Sequence, residues 1–177
     1  AAGMSQRMAD ENKLLAEIDG IPMVRHAAEA LVKGGIRELV VVTGHEADAV
    51  TAALSDLEAP GMVLRFVHNA DFAGGQAGSV ATGVSALSID VSGALIALGD
   101  MPFVSADLVA EMIQDHSGLG DHEMRISFPV YEGRRGNPVL WGRGFFDALA
   151  SLSGDIGGRR ILAENPAAVN SISWTDD

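Results

Sequence analysis

The sequence predicts one α/β domain: a mostly parallel sheet with helices on both faces. Two all-apolar runs, Leu39–Val42 leading into Thr43 and Ala94–Leu98, read as strands buried on both sides. Segments with helical apolar spacing alternate with such runs, the signature of βα units. The length, 177 residues with 47% apolar, gives one domain enough material for a single core.

Taken in order, Ile21, Val24, Ala28, Leu31 and Val32 recur at helical spacing, with Pro22 suited to a first turn and Gly34-Gly35 to a stop. Strand 39–43 follows, then a helix over 46–57 and a strand over 62–67. A helix is expected over 78–87 and the second buried strand over 94–98, ending at Gly99-Asp100. Ser105 is a natural N-cap for a helix reaching about His116. Strands over 126–130 and 138–141, helices over 144–152 and 158–164, and a last strand over 169–174 complete the pattern. Ala1-Ala2-Gly3 reads as the loop after a first strand, so a strand is expected upstream. A further tail is expected beyond Asp177.

Composition narrows the function classes. The formal charge of −12 argues against nucleic acid as a partner. No apolar run approaches the ~20 residues of a membrane span, so no membrane partner is expected. Without cysteine there is neither disulfide nor thiolate metal site, and the cytoplasm is the simplest compartment. Between residues 134 and 160 five arginines face only Asp147 and Asp155, a net +3. That run fits one wall of an anion site, or equally a set of scattered solvated arginines. The five histidines show no metal-ligand spacing.

In open α/β sheets ligands bind beyond the carboxyl ends of the strands. Function is therefore expected at the opening loop, at Thr43-Gly44-His45 and at Gly99-Asp100. In the opening stretch, Ala1, Ala2, Gly3 and Ser5 are small enough for backbone N–H groups to cradle an anion. Arg7 and Lys13 add a planar fork and a point charge suited to phosphates. An ordinary loop with two surface cations has the same composition. Asp100, directly after a buried strand, stands where a metal–phosphate carboxylate belongs, or simply turns the chain. The glycine-rich stretch 69–79, with Gly75, Gln76 and Ser79, fits a loop against a nucleotide base, or a surface loop. Gly133–Pro138 and Gly154–Arg159 join glycine turns to cations. Asp155 is a helix cap or a second metal ligand.

Together, Ala1-Ala-Gly-x-Ser-x-Arg-Met8, Asn12-Lys-Leu-Leu15, Gly20-x-Pro-Met-Val-Arg25, Gly99-Asp-Met-Pro102, Arg135-Gly-Asn-Pro-Val139 and Gly154-Asp-x-Gly-Gly-Arg159 resemble the molybdenum cofactor nucleotidyltransferase family, most nearly its cytidylyltransferase branch. The resemblance runs from Ala1 to about Leu162, and it implies a whole fused domain upstream as the alternative to a single strand. It implies a Rossmann-like nucleotidyltransferase fold and Mg²⁺ on Asp100. It also implies triphosphate binding by the opening loop with Arg7 and Lys13, and base contacts at 75–79. CTP is implied over GTP by the Ala-Ala-Gly opening, and molybdopterin or molybdenum cofactor as acceptor. Arg135, Asn137 and Arg159 are candidates for the acceptor, and a molybdoenzyme or its chaperone is a further partner. Asn137 stands where the cytidylyl enzymes commonly have His, and Ala9 where a glycine often follows Arg-Met.

Three other readings stand beside this one. The first is a nucleotidyltransferase using GTP or a sugar phosphate. The second is a nucleotide-binding module without catalysis, against which Arg7, Lys13 and Asp100 weigh. The third is an oxidoreductase, for which no complete Gly-x-Gly-x-x-Gly fingerprint follows a strand.

Overall fold

The computed structural model describes residues 12–154 and 158–175. A short hairpin opens it: β1 (Glu17–Ile18) pairs antiparallel with β2 (Ile21–Pro22). Asp19 and Gly20 both take positive φ, 53° and 77°, the two-residue turn that matches strand twist. Ile21 therefore lies in β2, outside the helix predicted from its spacing. Helix α1 (Met23–Lys33) starts after Pro22 and buries Val24, Ala27, Ala28, Leu31 and Val32 on one face.

Strand β3 (Glu38–Thr43) pairs parallel with β4 (Val63–His68) over six residues, from Glu38–Val63 to Thr43–His68. Helix α2 (Ala47–Leu54) makes the crossover and buries Val50 and Leu54 completely. Helix α3 (Gln76–Ser85) leads to β5 (Gly93–Ile96), and α4 (Ala106–Gly118) to β6 (Ile126–Tyr131). Ser105 caps α4 as predicted: its Oγ accepts from Leu108 N at 3.1 Å.

The remaining elements are β7 (Arg134–Arg135), β8 (Val139–Gly142), α5 (Phe146–Ala150), α6 (Arg159–Glu164) and β9 (Val169–Ser173). Strand β8 lies antiparallel between β5 and β6, so β5 and β6 run the same way. β9 joins the far side of β6 in parallel. Within each of these sheets the long strands thus share one direction, with β8 reversed. β7 is the short return of a hairpin turned at Glu132-Gly133, both at positive φ.

The core has two main parts. One packs α1, α2 and Val109 of α4 against Leu39 and Val41. The other packs Val84, Phe145, Leu149, Ile161 and Leu162 against Ile126, Phe128 and Trp141. Among the described residues, β3–β4 and β5–β8–β6–β9 are separate sheets, and the facing edges of β3 and β5 have no strand between them. No helix among the described residues is long and apolar enough to cross a membrane.

Candidate active site

Three loops meet at the mouth of a cavity of about 1140 Å³. The first is the 3₁₀ turn Lys13–Leu15. Asn12 caps it, its Oδ1 accepting from Leu14 N at 3.2 Å, and both Asn12 and Leu14 are buried. Two buried neighbours pin the turn and leave Lys13 pointing out of it. The second loop follows β5, where Met101 N returns to Leu98 O at 3.3 Å and carries Asp100 on the bend.

These two loops touch: Lys13 Nζ donates to Asp100 Oδ2. The side chains keep 45% and 32% of their exposure, so a ligand reaches both. A carboxylate and an ammonium in contact at a strand's carboxyl end can serve a cation and a polyanion together.

The third loop is Phe72–Gly75, leading into α3. Gly75 sits at φ 112°, closed to a side chain, and its turn starts the helix with no side-chain cap. The first N–H groups of α3 thus begin at Gln76, beside the cavity that Gly75, Gln76 and Ser79 line. Asn69 ties this corner together. Its N–H donates to Thr43 O at 2.8 Å, its Nδ2 to Ser79 Oγ at 3.1 Å, and its Oδ1 accepts from Asp71 N at 3.1 Å. One buried residue therefore ties the end of β3 through its backbone, and α3 and the Asp71 turn through its side chain. The sequence reading placed Asn69 in this stretch without a role. The available signal was an Asn two residues before Asp71 at a strand end, the pattern of an Asx turn. His45, expected near the site, lies against Phe72 with ring centroids 6.2 Å apart.

Of the residues singled out from the sequence, Lys13, Gly75, Gln76, Ser79 and Asp100 line this one cavity. Ala1, Ala2, Gly3, Ser5, Arg7 and Asp155 lie outside the described residues. The Gly154–Arg159 motif still reaches the corner, because Gly154 O accepts from Ala77 N at 3.4 Å. Arg135, Asn137 and Arg159 do not line the cavity. Arg135, on β7, lies 5.3 Å over the Phe128 ring. The arginine-rich run does not make one wall. Arg143 donates to Val91 O at 2.8 Å and covers Phe146, and Arg160 pairs with Glu164 at 2.7 Å.

Comparison with known proteins adds the family. The model of the MobA-like NTP transferase domain matches residues 1–169. Nicotine blue oxidoreductase of Paenarthrobacter nicotinovorans is 33% identical over 185 residues, covering 100% of this chain and 85% of that protein. The crystal structure of an Rv0371c homologue from Mycobacterium sp. strain JC1 superposes with a TM-score of 0.79 at 26% identity, covering 100% of this chain and 84% of the other. The manganese complex of Rv0371C from Mycobacterium tuberculosis H37Rv superposes at 0.73 with 20% identity, covering 93% and 82%, which speaks to fold alone. The family match over most of the sequence agrees with the phosphate-type mouth at Lys13 and Asp100, and the chain is a nucleotidyltransferase of the MobA-like NTP transferase domain family.

Proposed function

We propose that this chain transfers a cytidylyl group from CTP to the phosphate of molybdopterin or molybdenum cofactor, with Mg²⁺ on Asp100. The observation that carries the chemistry is the Lys13–Asp100 contact at a cavity mouth bordered by the start of α3. The choice of CTP and acceptor rests on the sequence motifs.

The residues fit the metal. A partly exposed carboxylate is a hard oxygen ligand, and Mg²⁺ commonly needs only one or two of them beside waters and phosphate oxygens. Manganese in the Rv0371C complex supports a divalent ion in this fold. When bound, Mg²⁺ supplies positive charge to the triphosphate oxygens.

An acceptor phosphate oxygen attacks the α-phosphorus, the bond from that phosphorus to the bridging oxygen breaks, and pyrophosphate leaves with that oxygen. The attacking phosphate is already anionic near neutral pH, so positioning and charge stabilisation carry the step. Lys13, released from Asp100, places its ammonium on the β- and γ-phosphates, where charge accumulates. Gly75 and the first turn of α3 hold the base side of the nucleotide, on the corner fixed by Asn69.

A second reading has one observation behind it: a full-length relative bears the name of an oxidoreductase. Pyrophosphate release separates the two. With Mg²⁺ and acceptor, the CTP reading expects pyrophosphate from CTP above GTP, ATP and UTP, and no acceptor-dependent oxidation of a nicotinamide cofactor. GTP-led release would keep the chemistry and overturn the base. Cofactor oxidation without pyrophosphate would establish the redox reading. Nucleotide binding without turnover would favour a binding module. Binding itself is read by thermal stabilisation, since a ligand at 100 times its Kd adds about 2.7 kcal/mol.

A further inference from the structure

Phe103 projects from the loop that carries Asp100. It is 86% exposed, more than any other large hydrophobic residue among the described ones. The turn beneath it is nevertheless tied at both ends. Met101 N donates to Leu98 O at 3.3 Å, and Val104 N to Met101 O at 3.4 Å. Val104 packs against the α1 core, and Ser105 caps α4 through Leu108 N. A fixed backbone therefore holds this ring in water. Asp100 is three residues away, and three residues of chain span at most about 11 Å.

The same end of the molecule gathers other rings on one face. β5 and β6 run the same way, so Tyr131, the last residue of β6, lies at the carboxyl edge that Asp100 follows. Side chains of a strand alternate between faces. Ser127 meets His116 of α4, while Ile126 and Phe128 pack with Leu149 on the other side. Tyr131, in step with Ser127, is on the α4 face. Arg134 stands opposite Tyr131 in the hairpin and shares that face. Trp174 packs against the cluster of Leu108 and Met112 of α4, and its N–H donates to Val130 O at 2.9 Å. Tyr131 and Arg134 are exposed, and Trp174 is half-buried. Phe103 leads into α4 from this same end. Three rings and one guanidinium thus border a ledge where α4 begins.

The ledge lies across the sheet from α3. Val84 of α3 packs with Ile126 and Phe128, on the face of β6 that Tyr131 does not share. With the nucleotide base at Gly75 and the first turn of α3, the base and the ledge fall on opposite sides of Asp100. The ledge is then free for the other reactant. Aromatic rings favour offset-stacked flat partners. A guanidinium is a planar donor for oxygens and nitrogens on the edge of such a partner.

We propose that Phe103 is the stacking residue for the acceptor: a phosphate ester of a flat heteroaromatic ring lies on this ledge, with one ring face on Phe103, its polar edge at Arg134 and its phosphate toward Asp100. Arg135 takes no part, because it is on the opposite face, over Phe128. A sugar phosphate has no flat ring face to offer and is disfavoured here. The fate of the phosphate rests on the transfer reading above; the grip on the ring does not.

The test labels the whole chain with 4-fluorophenylalanine. The Phe103 fluorine signal is identified by its loss in Phe103→Leu and Phe103→Trp, and independently by its broadening with a soluble paramagnetic probe, to which this ring is the most open. The ligands, added without CTP, are 6-hydroxymethylpterin phosphate and, as the control lacking a flat ring, glucose 1-phosphate. The pterin phosphate is expected to shift the Phe103 signal saturably, and glucose 1-phosphate to leave it in place. In the transfer assay, Phe103→Leu should raise the acceptor KM about tenfold with the CTP KM and the melting temperature unchanged, and Phe103→Trp should restore it. A Phe103 signal indifferent to the pterin phosphate, or shifted equally by both ligands, overturns the proposal. So does an unchanged acceptor KM in Phe103→Leu. A saturable shift without pyrophosphate release from any nucleotide would remove the transfer reading and keep the ring site.

Discussion

Lys13 Nζ donates to Oδ2 of Asp100 across 87 residues of sequence. On the proposed reading, a cation arriving at Asp100 would displace the ammonium that the triphosphate then receives, which would couple metal binding and triphosphate binding through this contact. Lys13→Ala should therefore split two readouts. Turnover should fall about 10²–10³-fold, as for loss of a preorganised charged donor. Mg²⁺ or Mn²⁺ affinity without nucleotide should rise a few-fold at most, since an exposed pair contributes about 0–1 kcal/mol. Metal titration by calorimetry checks the second half, and weaker metal binding in the variant would refute the displacement.

Asp100→Asn keeps the shape of the bend and removes the charge. Turnover at low Mg²⁺ should drop by about 10²-fold or more. Melting should hardly change, because the side chain's pairing to Lys13 is partly exposed to solvent. Near-native turnover would show that the carboxylate does not hold the metal.

Asn69 makes a prediction of a different kind, since its side chain holds Ser79 of α3 and the Asp71 turn through two hydrogen bonds. Asn69→Ala should raise the nucleotide KM several-fold while lowering stability by about 1–3 kcal/mol, the cost of leaving buried polar groups unpaired. Asn69→Asp keeps the acceptor for Asp71 N but loses the donor to Ser79 Oγ. It should recover stability more than KM. Equal recovery of both would reduce Asn69 to a purely structural joint.

The order of helices and strands was legible because apolar spacing is a local property. Leu31 and Val32 close one face of α1, and 39–42 read as buried by their own composition. The elements that escaped, β1, β2 and β7, have two residues each, too short for any period to show. Their turns, Asp19-Gly20 and Glu132-Gly133, carried the only signal. Within the site, Lys13, Asp100 and Gly75–Ser79 were each visible as types in place. Their meeting was not, because the Lys13–Asp100 contact depends on how β5 is placed in space. Arginine density misled for the opposite reason: Arg143 and Arg160 are near in sequence yet engaged on separate surfaces, at Val91 and Glu164.

Gly142 shows where a close approach rather than a turn requires glycine. A Cβ there would fall 2.4 Å from the carbonyl oxygens of both His122 and Glu123, which are backbone and cannot rotate away. Gly142→Ala should cost roughly 1–3 kcal/mol or more by overpacking. Gly61 is the control: its φ is +71° but nothing lies within 4 Å, so Gly61→Ala should cost only the left-handed backbone, about 1–2 kcal/mol. Urea midpoints of the two variants give the comparison. A larger loss at Gly61 would show that the β8 contact relaxes freely.

His116 adds a pH dependence whose sign follows from its surroundings. Burial disfavours the imidazolium, and the charge of nearby His122 adds to the effect, so its pKa lies below the ordinary value, with a backbone hydrogen bond at His122 and the charge of Asp115 opposing. The unfolded chain, with a pKa near 6.5, then binds more protons than the folded one as pH falls through that value. Stability from the neutral ring is complete above about pH 6.5 and is lost progressively below it, down to the lowered folded pKa. One site limits the slope to about 1.4 kcal/mol per pH unit. His116→Asn should weaken the protein at pH 8 and remove this slope between pH 6.5 and 5, so the urea midpoints of the two proteins should converge as pH falls. Parallel curves would mean that the slope belongs to other groups. Converging curves would locate it in the buried His116–Ser127 pair.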